Sequence, residues 1–260
     1  MNCNPEMRSL GRGSLRAALP GWRRWFGKLR DLALPNQCAL CGNLSQRVLC
    51  VGCDETYWNE PRLRCPVCAL PMPSFQRGAG GAQQRCGSCT AEPPHFDATF
   101  ALADYRAPLD TLALDLKFRA RLETGEEVSR LLHAAYRASD LALPDVIAPV
   151  PLSRKRLNAR GYNQAWAIAK PLGRRLRVPS KAMLVERFVD TAPQSKLDLD
   201  MRRRNVGSAF RVTGDVRGAH VAVVDDVMTS GATLDALART LKTAGARRVT
   251  NFVALRTPKD

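Results

Sequence analysis

Eight of the nine cysteines in this chain fall in four Cys-x-x-Cys knuckles: Cys38/Cys41, Cys50/Cys53, Cys65/Cys68 and Cys86/Cys89. Only Cys3 stands apart. Two cysteines three positions apart in a tight turn direct both sulfurs at one tetrahedral ion, and two such turns complete a four-thiolate structural zinc site. Residues 35–93 are punctuated throughout by Gly and Pro and are poor in large apolar side chains. Such a segment cannot build a core of its own, so bound metal must supply its stability. A secreted disulfide framework would not need this repeated spacing, and a thioredoxin-like redox motif would present one knuckle after a strand, not four in succession. Two bound zinc ions are expected. Sequential pairing of the knuckles, first with second and third with fourth, makes two hairpin-like zinc ribbons, and "RGAGGAQQ" (77–84) becomes a flexible tip between the third and fourth. Spacing alone leaves a cross-braced pairing open.

Beyond "EPPHFD" the texture changes to alternating strand and helix signals. "ATFALADY" (98–105), "DVIAPVPL" (145–152), "HVAVVDD" (220–226) and "RRVTNFVAL" (247–255) read as strands. "APLDTLALDLKF", "GEEVSRLLHAAYRAS" and "TLDALARTLKTAG" read as helices, and "NQAWAIAKPLGRRL" as a helix interrupted at Pro171. This alternation predicts an α/β fold, a parallel sheet with helices on both faces, and 260 residues suffice for one such core plus a small accessory module. The expected organisation is a basic arm and amphipathic helix over 1–34, a double zinc ribbon over 35–93 and the α/β domain over 94–260. In the first segment Leu15, Leu19, Trp22, Trp25, Phe26, Leu29 and Leu32 recur at helical intervals between Arg and Lys. That helix either docks on the protein's own core or lies on a membrane or a partner. No apolar run reaches the roughly 18 residues of a membrane span, and the start lacks the apolar stretch of a secretory signal.

"VAVVDDVMTSGATL" (221–234) poses the chemical question. The chain carries 40 basic and 24 acidic residues, a formal net charge of +16, yet it sets Asp225 and Asp226 side by side at the end of an apolar strand. Buried charge is costly unless compensated, and in open α/β sheets ligands bind beyond the carboxyl ends of strands. Thr229, Ser230, Gly231, Ala232 and Thr233 then lead into a helix. Small residues let backbone N–H groups converge on one point, the hydroxyls add donors, and the helix N-terminus adds positive potential, which together make a cradle for a phosphate monoester. The acids can accept hydrogen bonds from sugar hydroxyls. A site that reads a diol and a 5′-phosphate is a ribose-5-phosphate site.

This stretch resembles the phosphoribosyl-pyrophosphate (PRPP) motif of type I phosphoribosyltransferases. No Walker-type GxxxxGK[ST] and no GxGxxG between strand and helix is present, which leaves nucleotide kinases and dinucleotide oxidoreductases poorly supported. The resemblance extends to the order of the knuckles, "LKF" (116–118), "PVPLSRKRLNARGYNQA" (149–165), "RFVDTAPQSKLDLDMRRRNVGSAF" (187–210) and the ribose-phosphate loop. In that order they resemble the ComF family: bacterial proteins with a double zinc ribbon joined to a phosphoribosyltransferase-like domain, associated with natural competence and use of DNA. The likeness covers about residues 32–257 and leaves the first thirty residues outside.

The resemblance implies roles for further residues. Phosphoribosyl transfer expels diphosphate through an oxocarbenium-like state, and the leaving charge must be held by Mg²⁺ and by cationic or backbone donors. "PVPLS", with Pro151 and Leu152, sits where such a fold places its pyrophosphate loop, and Arg154, Lys155, Arg156 and Arg160 follow closely. Asn163 and Gln164 open the next helix and either hydrogen-bond substrate or hold the loop. Gln194 and Arg204 belong to a polar segment resembling the mobile lid of related transferases. Lys117 either points into the cleft or serves as a helix-end dipole partner. Asp225, Asp226, Arg160 and Gln194 are thus the candidate catalytic residues. Thr229 to Thr233, Pro151, Leu152, Asn163, Gln164, Arg204 and Lys117 are the candidate substrate contacts.

Three functions compete at this point. The first is a Mg²⁺-dependent transferase moving phosphoribose from PRPP, or a binder of PRPP and related ribose-5-phosphate nucleotides, acting in DNA uptake or use. The second keeps the fold without catalysis and works on single-stranded DNA or a DNA-translocating helicase, with zinc ribbons and arginine clusters supplying phosphate contacts. The third serves nucleotide salvage with a small base or amine as acceptor. The expected location is cytoplasmic, with membrane association through a DNA-uptake complex as the alternative.

Overall fold

The computed structural model describes residues 36–58, 63–72, 84–119, 121–139, 141–188 and 209–258. The arm and helix expected over 1–34, most of the tip at 77–84, and the bulk of the 187–210 segment with Gln194 and Arg204 lie outside the described residues.

The cysteine-rich segment forms only small elements. Strands β1 (Asn36–Gln37) and β2 (Leu44–Ser45) pair antiparallel, and two short helices follow, α1 (Val51–Tyr57) and α2 (Gly87–Ala91). Cys50 and Cys86 are the N-caps of these helices. The spacing of the second and fourth knuckles is therefore a first helical turn, which brings Cys53 and Cys89 round beside the capping cysteine.

From residue 98 the alternation runs β3 (Ala98–Asp104), α3 (Asp110–Phe118), α4 (Leu122–Arg137), β4 (Val146–Pro149), α5 (Arg154–Arg160), α6 (Gln164–Leu176), β5 (Val185–Arg187), β6 (Phe210–Val212), β7 (His220–Met228), α7 (Ala232–Thr243) and β8 (Arg248–Arg256). Strands β3, β8, β7 and β4, in that spatial order, make one parallel sheet. Its inner strands β7 and β8 are covered on both faces, which is why they read as nearly unbroken apolar runs. On one face α3, α4 and α6 bury Leu116, Leu132, Ile168 and Leu172 around Phe252, whose ring stands 4.9 Å from that of Tyr136. On the other face α7 buries Leu234, Leu237 and Leu241. Cys38 and Cys53 join the first of these cores, and Cys65, Cys68, Cys86 and Cys89 join the second.

One local expectation is corrected, and two further elements add to those expected. The helix expected to break at Pro171 runs through it. Pro171 has no N–H for the carbonyl of Ala167, and Gly125 of α4 packs against that carbonyl so closely that a Cβ there would stand 2.8 Å from Ala167 O. The absence of a side chain lets a neighbouring helix cover the freed group. The basic stretch after "PVPLS" is helical (α5), capped by Ser153 and closed by Gly161 at φ 78°. Finally, the two ends of the 187–210 segment are strands: β5 and β6 pair antiparallel, with Arg187 opposite Phe210.

Candidate functional site

The cysteines assemble into two quartets, Cys38/Cys41/Cys50/Cys53 and Cys65/Cys68/Cys86/Cys89, with the four sulfurs of each within 4.8 Å of one another. The pairing is sequential. Four sulfurs at about 2.3 Å from one tetrahedral ion stand about 3.8 Å apart; Cys41 Sγ and Cys50 Sγ are 3.7 Å apart, and Cys68 Sγ and Cys86 Sγ 3.6 Å. Backbone N–H groups point at the sulfurs, with Cys50 N donating to Cys38 Sγ and Cys86 N to Cys65 Sγ, each at 3.4 Å. At Cys38 burial opposes ionisation, but three backbone donors outweigh it and bring the thiol to about 6. The Cys68 side chain and further backbone donors bring Cys65 to about 4. Cys53 and Cys89 cannot follow: burial and the neighbouring sulfurs push Cys53 well up and Cys89 up to about 12. Several thiolates share one small space only when a cation lies among them, so the donor set fits a structural metal ion.

The sheet's carboxyl edge carries the second constellation. Near the end of β7, Asp226 is buried and its Oδ2 lies 2.9 Å from Lys117 Nζ, on the last turn of α3. Asp225 is partly buried, and its Oδ1 accepts from the backbone N–H of Asp226 at 2.9 Å. Burial first, and the adjacent Asp226 carboxylate second, hold the Asp225 carboxyl well above the ordinary aspartate range. Asp225 lines one hollow together with Thr229, Ser230, Gly231, Ala232 and Thr233. Thr229 and Ser230 are exposed there. Gly231 is the N-cap of α7 at φ 85° and offers no capping side chain, so the helix's leading N–H groups face the hollow, with Ala232 N reaching Ser230 Oγ at 3.4 Å. A Cβ at Gly231 would stand 2.6 Å from Met228 Cε, a contact the flexible methionine tip can relieve, so it is the left-handed backbone conformation that requires glycine.

What keeps this turn in shape is a residue that sequence reasoning missed. Arg256, at the end of β8 and 2% exposed, donates from Nη1 to Met228 O at 3.1 Å, to Thr257 O at 2.6 Å and to Thr229 O. Its Nε donates to Cys68 O at 2.9 Å. One guanidinium therefore collects the carbonyls at the start of the turn and joins them to the second cysteine quartet. Close by, Arg64 Nη2 meets Asp104 Oδ1 at 2.8 Å and fastens the same quartet's segment to β3. An Arg at the tail of an apolar strand, where charge has no business unless partnered, was the only available sign.

The "PVPLS" turn follows β4, the sheet neighbour of β7. Pro151 is buried and Leu152 half-buried. Asn163 holds this turn: its Nδ2 donates to Val150 O at 3.0 Å while its Oδ1 accepts from Ala165 N and Trp166 N, capping α6. Gln164 Oε1 accepts from Arg160 Nη1 at 2.6 Å. The Arg160 guanidinium lies 5.7 Å from the centre of the Phe118 ring, and Tyr162 OH donates to Leu116 O. Lys117, Arg160, Asn163 and Gln164 thus gather at one corner, and Asp225 and Thr229 to Thr233 form the adjoining hollow.

Residues 163–260 match the phosphoribosyl transferase domain family. Over 234 residues the chain is 36% identical to the DNA utilization protein YhgH of Escherichia coli K12, covering 87% of this chain and 99% of the relative. It is 34% identical over 233 residues to YhgH of Salmonella typhimurium LT2, with 87% and 99% covered. Against Competence protein F of Haemophilus influenzae Rd it is 31% identical over 223 residues, with 82% and 93% covered. With its paired cysteine quartets preceding a parallel sheet whose strand β7 carries the two aspartates near its end, the chain belongs to the ComF family.

Proposed function

We propose that the β7–α7 turn binds the ribose-5-phosphate part of PRPP, or of a nucleotide containing it, and that this binding serves the handling of DNA, as the names of the relatives suggest. One observation carries the reading: Asp225 and the small-residue turn Thr229–Thr233 border the same hollow. The turn's amides and the head of α7 receive the phosphate, while Asp225, with Asp226 beside it, accepts hydrogen bonds from the ribose hydroxyls.

A carboxyl held above its normal range by burial and a like charge gains from hydroxyl donors or a cation, and this fits Mg²⁺ arriving with the diphosphate. When bound, Mg²⁺ neutralises charge on the leaving diphosphate. The chain's own cations face the same task from the "PVPLS" corner: Arg160, oriented by Gln164, supplies a guanidinium, and Asn163 keeps the loop backbone in place. Lys117 holds the Asp226 side chain in place through its 2.9 Å contact with Oδ2. The proposed reaction class is phosphoribosyl transfer to an acceptor base or amine, and the two cysteine quartets hold zinc.

The test is calorimetric titration of the full chain with PRPP and Mg²⁺. Wild type gives saturable heat, and Asp225→Ala with Asp226→Ala abolishes it while metal content stays intact. Unchanged heat in that double variant overturns the reading. PRPP turnover against a panel of bases and amines then reports whether transfer occurs.

A further inference from the structure

Between the second cysteine quartet and the head of α7 lies a cavity of about 380 Å³ that the ribose-phosphate reading does not use. It shares Met228, Ser230, Gly231 and Ala232 with the hollow described above, but Asp225 is no part of its wall. Leu70, Pro93, Phe96 and Ala236 give it apolar surface from three separate segments. Those segments are fastened to one another at the rim, where His95 N and Nδ1 stand 2.6 and 3.0 Å from Asp235 Oδ1 of α7. A concave space of this size, with apolar walls and a few fixed polar groups, is the usual form of a small-molecule site.

One polar group in the wall has unfinished bonding. Arg256 lines the cavity and is 2% exposed, yet its hydrogen bonds all leave from Nε and Nη1. Nη2 donates to no acceptor among the described residues. A donor sunk so deep is costly to leave unmade, and an acceptor on a bound molecule completes it. The other charges around the cavity tell against an anion. Cys68, Cys86 and Cys89 line it, and four thiolates around one divalent ion keep a net negative charge. Glu92 lines it too, and Asp235 is already engaged by His95. A carbonyl or a ring nitrogen meets Nη2 without that repulsion. The buried Met228 thioether at the wall favours an aromatic body for the ligand.

We propose that this cavity binds a small neutral aromatic molecule, its carbonyl or ring-nitrogen acceptor on Arg256 Nη2 and its ring against Phe96, Met228 and Leu70. The site is separate from the sugar-reading aspartates. Its occupancy does not depend on whether the adjoining turn takes PRPP, so the two readings stand or fall apart from each other.

Benzamide is the probe, because it joins an aromatic ring to one neutral carbonyl and has no ring nitrogen to accept phosphoribose. In the full metal-loaded chain labelled at its methionine methyls, two-dimensional NMR should show a saturable, benzamide-dependent shift of the Met228 signal. The signal of Met183, 65% exposed, should stay in place. Toluene, which lacks the acceptor, and benzoate, which carries a charge on the same frame, should each bind at least about fivefold more weakly. Ala236→Leu narrows the cavity with a residue that suits a helix and should abolish the Met228 response, its melting curve reporting that it folds. The ligand comparison is made on wild type and decides the matter even if that variant unfolds. A Met228 signal that does not respond, a response unchanged in folded Ala236→Leu, or toluene as tight as benzamide overturns the site. Benzoate as tight as benzamide, or tighter, overturns the neutral ligand class.

Discussion

Lys117 Nζ lies 2.9 Å from Asp226 Oδ2 and joins the last turn of α3 to the end of β7. The Asp226 side chain is 3% exposed and that of Lys117 28%, so the acid depends on this cation far more than the cation depends on the acid. The pair also explains how a strand otherwise lined with Val and Ala ends in two carboxylates: one is neutralised from an adjacent helix, and the other is left facing the turn.

Removing the cation alone should therefore cost more than removing both partners. Lys117→Met is expected to lower stability by about 2–3 kcal/mol, since it strands a buried carboxylate. Adding Asp226→Asn to that variant should recover most of the loss. Urea unfolding of the two single variants and the double variant closes the cycle. A Lys117→Met protein as stable as wild type would mean that Asp226 finds its compensation elsewhere.

Asp225 should leave a signature in pH. Its carboxyl is held above the ordinary value of 3.8 in the folded chain, chiefly by burial and then by Asp226. Between 3.8 and the raised folded value the native state keeps a proton that the unfolded chain has released. Stability accordingly falls as pH rises through that window. Asp225→Asn removes this dependence, so its stability advantage over wild type should grow from acid towards neutral pH. A difference between the two that stays flat over that range would refute the assignment.

Arg256 makes the opposite kind of prediction, one about connectivity. Its guanidinium holds Met228 O and Thr229 O with one nitrogen and Cys68 O with another. Arg256→Met keeps much of the side-chain length but removes the donor to Thr229 O and Cys68 O, at roughly 1–3 kcal/mol for each one that stays buried, while Met228 O keeps the N–H of Thr257. Hydrogen exchange should rise together in two distant stretches, the third knuckle at 65–68 and the turn at 228–231, while β7 upstream of Asp225 stays protected. Loosening confined to one stretch would argue that the two are independent.

What could be read in advance follows a physical division. The knuckles, the paired acids and the Gly231 turn carry their chemistry in contiguous residues, so spacing alone announces them. The roles of Lys117, Arg256 and Gly125 depend on partners 109, 28 and 42 positions away in the chain (Asp226, Met228 and Ala167). No local pattern encodes such pairings. Pro171 shows the same limit from the other side: a residue that breaks an isolated helix is tolerated where a second helix offers a glycine to cover the exposed carbonyl. The short helix α5 escaped for a different reason, since a helix with no buried face leaves no apolar period to detect.

The two cysteine quartets should release metal at different rates. All four sulfur residues of the Cys65/Cys68/Cys86/Cys89 quartet are buried, and Arg256 and Arg64 tie their segment to the sheet. In the other quartet Cys41 is exposed and Cys50 half-buried, so a chelator reaches that ion with little local opening. A chelating dye added to the metal-loaded chain should take one equivalent rapidly and the second at least about tenfold more slowly, because the buried site must first open. Cys41→Ser should remove the fast phase and leave the fold largely intact. Cys89→Ser should remove the slow phase and lower the melting temperature more severely, since its quartet belongs to the core packed under α7. Two equivalents leaving in a single phase would show that the quartets open as one unit and that burial does not set their exchange.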